Sequence, residues 1–308
     1  MTSRTPVLGA LTLLLGGSPP AGPDDYARVD RVSRHVLEVM RKYETPGVSI
    51  AVFREFEIEW ARGFGVASAD TRAPVDSLSL FQAASISKPV AALAALRLVE
   101  AGQLDLDRDV NDYLKGWKLP QNELTAARAV TLRMILSHTA GLTVHGFPGY
   151  EAGAPLPTLP QILDGRPPAN SDPVRVAVLP ATRFEYSGGG TTVLQQLLVD
   201  VTGTPFCELM QKQVLDLVGM RFSTYEQPLP AGLVRFATAG HEQGKTVRGG
   251  RNAYPELAAA GLTTTASDLA RFAIAVQRAR LGLSSVLSRP EALLMTTPYR
   301  PDSYGLGF

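Results

Sequence analysis

The chain has 308 residues, 45% hydrophobic and 19% charged, with a formal net charge of +1 and one cysteine, Cys207. This balance fits a globular protein able to bury a core, as one large domain or two small ones. Near-zero charge argues against a nucleic-acid partner, and a lone cysteine excludes an intrachain disulfide.

Residues 1–21 read as an export signal: basic Arg4, an apolar run over 7–15, then small residues over 16–21. The run is too short for a stable membrane anchor. No cysteine follows it for lipid attachment, so the expected location is periplasmic or secreted. Apolar residues Val29, Val32, Val36, Val39 and Met40 predict an amphipathic helix over 26–43, broken by Thr45-Pro46-Gly47. Residues 48–53 and 56–65 then read as an antiparallel hairpin.

Next comes Ser85-Ile86-Ser87-Lys88, opening a predicted helix over 85–101 that Gly102 ends. Pro89, one turn in, is tolerable there but delimits the start. A serine three residues before a lysine shares its helical face, so hydroxyl and amine can meet. A lysine desolvated by apolar neighbours can lose its proton near neutral pH and activate the serine. With 18 serines and 6 lysines, chance alone supplies about a third of such a match, so the pair needs context.

A short helix over 131–136 leads into Ser137-His138-Thr139-Ala140-Gly141-Leu142. Residues 143–180 hold eight of the 23 prolines, an irregular stretch of the kind that shapes a binding surface. Phe184-Glu185-Tyr186-Ser187-Gly188-Gly189-Gly190 precedes a helix predicted over 191–202. A turn tyrosine beside a lysine cation can serve as general acid or base. Thr204 and Pro205 predict the start of a helix that Gly219 ends, with Cys207 as a small buried or half-buried hydrophobe. A last helix is predicted over 266–280 with Ser267 as its cap. The order of elements implies an α/β (α+β) protein with its sheet built from the chain ends.

Together these segments resemble the serine β-lactamase and penicillin-binding-protein superfamily, in its class C-like esterase and peptidase branch. Phe81-Gln82-Ala83-Ala84-Ser85-Ile86-Ser87-Lys88 is similar to the nucleophile motif, and residues 98–107 to its continuation. Residues 131–142 resemble the family's histidine-threonine-glycine loop. Tyr186-Ser187-Gly188 matches the second motif, and residues 260–270 match a late helix entry. The resemblance implies a β-lactamase/transpeptidase-like fold, an antiparallel sheet flanked by helices. It places a catalytic domain over 22–308 with a mostly helical subdomain at about 90–255. It implies that Ser85 attacks an acyl carbonyl while Lys88 and Tyr186 move its proton, with the Ser85 N–H as an oxyanion donor. Ser187 and Gly188 fall in the substrate-binding motif, and His138 is expected to hold a loop. The implied substrate is a small acyl compound, an ester, peptide or β-lactam, with no cofactor or metal.

Two departures stand out. Gly188 replaces the usual asparagine, removing an amide expected near Lys88, which favours simple esters. The third motif is not recognised on a strand: Arg248-Gly249-Gly250 has its pattern but precedes residues 260–270, so it reads as a loop. Tyr304-Gly305-Leu306-Gly307-Phe308 reads as the strand leading toward that motif, and further strands are expected beyond it. The competing reading is a catalytically silent penicillin-binding or sensor-like module, or an inactive fragment of such an enzyme. Other hydrolase signatures are absent: there is no Gly-x-Ser-x-Gly, and His241-Glu242 lacks the second histidine of a zinc helix.

Overall fold

Helix α1 spans Pro23–Lys42 and closes with Arg41 and Lys42, cations favoured at the negative end of the helix dipole. The computed structural model describes residues 23–302 and 304–308; the expected export signal lies outside them. Among the described residues, those up to 43, helix α1 included, form one compact unit, and those from 44 onward form a second.

The second unit opens with the expected hairpin. Strand β1 (Gly47–Arg54) pairs antiparallel with β2 (Glu57–Gly65), from Gly47 opposite Gly65 to Arg54 opposite Glu57. Both glycines are in close quarters or left-handed: a Cβ at Gly47 would lie 2.3 Å from the Val66 carbonyl oxygen, and Gly65 has a φ of 73°. Strand β3 (Phe81–Gln82) leads through a 3-10 turn (Ala84–Ile86) into α2 (Ser87–Glu100). The α2 helix thus starts two residues later than predicted. Pro89 sits in its first turn, where a missing N–H costs no intrahelical bond.

Helix α2 runs through the core. Residues 90–96 are all 1% exposed or less, and such burial on every side is what its uninterrupted apolar sequence requires. Its alanines let α7, α11 and α13 pack against it. Short helices α3 (Val110–Tyr113), α4 (Glu123–Ala127), α5 (Leu132–Leu136) and α6 (Leu159–Asp164) punctuate the long middle. Thr131 caps α5, its side chain accepting from the Met134 N–H.

Helix α7 (Gly188–Thr202) begins three residues earlier than predicted, with all three glycines inside it. Glycine is a poor helix former, but the Ser187 cap and close packing override propensity here. A Cβ at Gly189 would meet the Thr143 carbonyl oxygen at 2.7 Å. The Cys207 helix is α8 (Phe206–Met210), a π-turn (Gln211–Leu215) and α9 (Asp216–Val218), ended by left-handed Gly219. Pro205 is its cap rather than its first residue. Cys207 is half-buried against the core, and burial pushes its thiol up to about 11.

Helix α10 (Ala231–Val234) and the tiny hairpin β4 (His241–Glu242) and β5 (Lys245–Thr246) follow. Arg248, Gly249 and Gly250 lie in the loop after it, as expected. Helix α11 (Leu257–Ala260) and strand β6 (Thr263–Thr264) lead to α12 (Ala266–Arg280) and α13 (Arg289–Thr296). The cap of α12 is Thr265, which accepts from the Asp268 N–H at 3.1 Å; Ser267 falls inside the first turn. Residues 304–308 form no strand. The Gly305 N–H turns back to the Phe308 carbonyl, and the Leu306 N–H bonds to Leu294 at the end of α13.

Candidate active site

A short ladder aims the turn that carries Ser85. In β3, Phe81 pairs with Thr264 and Gln82 with Thr263 of β6, and the Ala83 N–H then donates to the Leu262 carbonyl at 2.8 Å. Ala84 follows with a φ of 45°, a left-handed conformation costing a non-glycine residue roughly 1–2 kcal/mol. That bend leaves Ser85 exposed at the surface. Ser87 pins it from below: its hydroxyl donates to the Ala84 carbonyl at 2.6 Å and accepts from the Leu262 N–H at 3.0 Å. The buried Tyr225 hydroxyl donates to the Ser87 carbonyl at 2.9 Å. Neither Ser87 nor Tyr225 was singled out from sequence, because their partners lie far along the chain.

Lys88 is only 7% exposed, and its Nζ lies 3.1 Å from Ser85 Oγ. Burial pushes its pKa down to about 8. The amine also donates to the Ala259 carbonyl at 2.8 Å. Ala259 belongs to α11, whose Ala258 N–H bonds to Gln195 Oε1 of α7 and whose Ala259 and Ala260 N–H groups bond to the Glu256 carbonyl. The lysine is therefore aimed by a one-turn helix 171 residues away in sequence.

Tyr186 is half-buried, and Lys88 Nζ sits 5.2 Å from its ring centroid, within cation–π range. The His138 ring lies against it at 4.4 Å between centroids, and Tyr304 approaches edge-on at 6.4 Å. Ser85, Lys88 and Tyr186 are thus brought to one place. Ser187 and Gly188 are adjacent, but their described contacts run to His138, to the 143–147 loop and to α7 itself. The Ser187 hydroxyl donates to the Thr143 carbonyl at 2.7 Å and accepts from the Gly190 N–H at 2.8 Å. A Cβ at Gly188 would lie 3.0 Å from the His145 carbonyl oxygen and 3.1 Å from the Phe147 ring.

An exposed hydroxyl, a desolvated amine in hydrogen-bond reach of it and a nearby phenol can together form and break an acyl–oxygen bond. Comparison with known proteins fits that chemistry. A family model described as Beta-lactamase matches residues 32–308. The chain is 28% identical over 198 residues to "Penicillin-binding protein 4" of Amycolatopsis lactamdurans, covering 64% of this chain and 49% of that protein. It is 29% identical over 225 residues to "Esterase EstB" of Burkholderia gladioli, covering 70% and 55%. It therefore spans about half the length of these relatives. Among solved structures, the octameric penicillin-binding protein homologue from Pyrococcus abyssi superposes with a TM-score of 0.72 at 24% identity, covering 91% of this chain and 64% of that one. With a family model matched from residue 32 to the last residue, on a β-lactamase/transpeptidase-like fold, the chain belongs to the β-lactamase family.

Proposed function

We propose that the protein is a serine acyl hydrolase that takes simple esters in preference to β-lactams and works through an acyl-enzyme on Ser85. The observation that carries this reading is the buried Lys88 amine 3.1 Å from the exposed Ser85 hydroxyl. With its pKa lowered to about 8, a useful fraction of Lys88 is neutral at working pH. Its lone pair takes the Ser85 proton as Oγ attacks the ester carbonyl, and the Ser85 N–H stabilises the oxyanion. Collapse breaks the bond to the leaving alkoxide, which receives the proton through Lys88 and Tyr186. Water then attacks the acyl-enzyme by the reverse proton path. The residues 1–21 signal is the sole basis for placing this activity in the periplasm or outside the cell.

The ester preference rests on Gly188, which stands where the family motif has an asparagine and so brings no side-chain amide, and accords with the likeness to an esterase. Turnover of a nitrophenyl ester should exceed that of a chromogenic cephalosporin, and both should vanish in Ser85→Ala. Faster cephalosporin hydrolysis reverses the ranking. Stable acylation of Ser85 without turnover of either compound favours the silent sensor reading instead.

A further inference from the structure

The contacts of His138 converge on Tyr186. Its main chain is left-handed, with a φ of 54°. That conformation turns its carbonyl to accept from the Glu185 N–H at 2.7 Å. Its ring nitrogen Nδ1 accepts from the Ser187 N–H at 3.2 Å. One residue therefore grips the backbone on both sides of Tyr186, and its ring lies against the Tyr186 ring at 4.4 Å with 34° between planes. The Nδ1 contact requires the tautomer with its proton on Nε2. His138 is 6% exposed, and burial, aided by the Lys88 charge, pushes its pKa down to about 4, so the ring is neutral and Nδ1 is free to accept.

We propose that His138 is a positioning residue that fixes the Tyr186 phenol beside Lys88 by accepting the Ser187 N–H on Nδ1 and stacking on the Tyr186 ring. The proposal rests on the reading of Tyr186 as the acid–base group. Nothing in it has His138 touch substrate: a phenol displaced by about an ångström transfers protons poorly, and such misplacement costs up to about 10²-fold in rate.

The test compares His138→Gly with His138→Asn in the full chain, each alone and combined with Tyr186→Phe. Glycine accepts the left-handed backbone without strain but supplies no acceptor. Asparagine also tolerates that backbone, and its amide oxygen takes the place of Nδ1. Acylation of Ser85 by a nitrophenyl ester should fall about 10–100-fold in His138→Gly and recover at least about fivefold in His138→Asn. On top of Tyr186→Phe, the same exchanges should change the rate less than about twofold, because the group being positioned is already gone. Equal rates for the Gly and Asn variants, or a His138→Gly loss that persists undiminished in the Tyr186→Phe background, overturn the proposal. If Tyr186→Phe alone runs at the parental rate, the acid–base reading of Tyr186 fails, a result distinct from failure of the His138 assignment. Should His138→Gly not give a cooperative melt, His138→Asn against the parent carries the test: a loss of more than about 100-fold in a folded Asn variant contradicts the acceptor role.

Discussion

Lys88→Ala and Tyr186→Phe should each slow acylation of Ser85 by about 10²–10⁴-fold, the usual cost of a lost acid–base group. Lys88 is the proposed base because, among the described residues, it combines burial with a contact to the Ser85 hydroxyl, at 3.1 Å. Burial lowers its pKa from 10.5 to about 8, so the neutral form gains population as pH rises through 8. The parent's kcat/KM for an ester should therefore climb from pH 6 and level off above about 8, and Lys88→Ala should lose that limb along with the rate. Tyr186→Phe keeps the ring that lies 5.2 Å from the amine and the stack on His138, so it removes the hydroxyl and little packing. Near-parental turnover by Tyr186→Phe on several esters makes the phenol structural. A pH limb that survives in Lys88→Ala assigns the base elsewhere.

A second large effect is expected at Glu256, on stability. Its side chain is wholly buried, and among the described residues no other residue gives either carboxyl oxygen a hydrogen bond. Burial pushes its pKa up from 4.5 to about 7, against a smaller opposing pull from its own backbone N–H. Between those values the folded state holds a proton that the unfolded state has released. Stability therefore falls as pH rises from about 4.5 to about 7 and is level above that. The loss amounts to about 3 kcal/mol at pH 8. Glu256→Gln should abolish this slope and be the more stable protein at pH 8, as read by urea unfolding at pH 5 and pH 8. Parallel pH dependence in parent and variant contradicts it. The residue's position gives the cost a context: the Glu256 carbonyl accepts from Ala259 and Ala260, in the helix whose Ala259 carbonyl holds Lys88.

Much of the scaffold was legible before the structure. The β1–β2 hairpin followed from β-branched and aromatic runs around a tight turn, and the ends of α2 and α9 from Gly102 and Gly219. The Ser85–Lys88 contact was legible because it depends only on local spacing, three residues on one helical face. What depends on the far chain was not. The Ala259 carbonyl on Lys88, the Leu262 N–H on Ser87 and the His138 grip on Tyr186 join residues separated by 171, 175 and about 50 positions, and no local pattern encodes them. The start of α7 was placed late because three glycines argue against a helix until the Ser187 cap and the 143–147 loop are seen against them. At α12, Thr265 and Ser267 are chemically equal caps, and only the Thr265 bond to the Asp268 N–H separates them. Asp268 is itself buried and accepts from the Phe222 N–H and the Ser223 hydroxyl. That anchorage fixes the register of the turn. The family resemblance implies a strand over 304–308, but the Gly305 and Gly307 N–H groups bond within the segment and the Leu306 N–H bonds to α13.

The central claim is that Ser85 is the residue that becomes acylated. It is tested most directly by labelling the active protein with a fluorophosphonate, digesting it and locating the adduct by peptide mass. The structure predicts one adduct, on the peptide containing Ser85, absent from Ser85→Ala and formed much more slowly in Lys88→Ala. An adduct on another residue, or undiminished labelling of Ser85→Ala, contradicts the account.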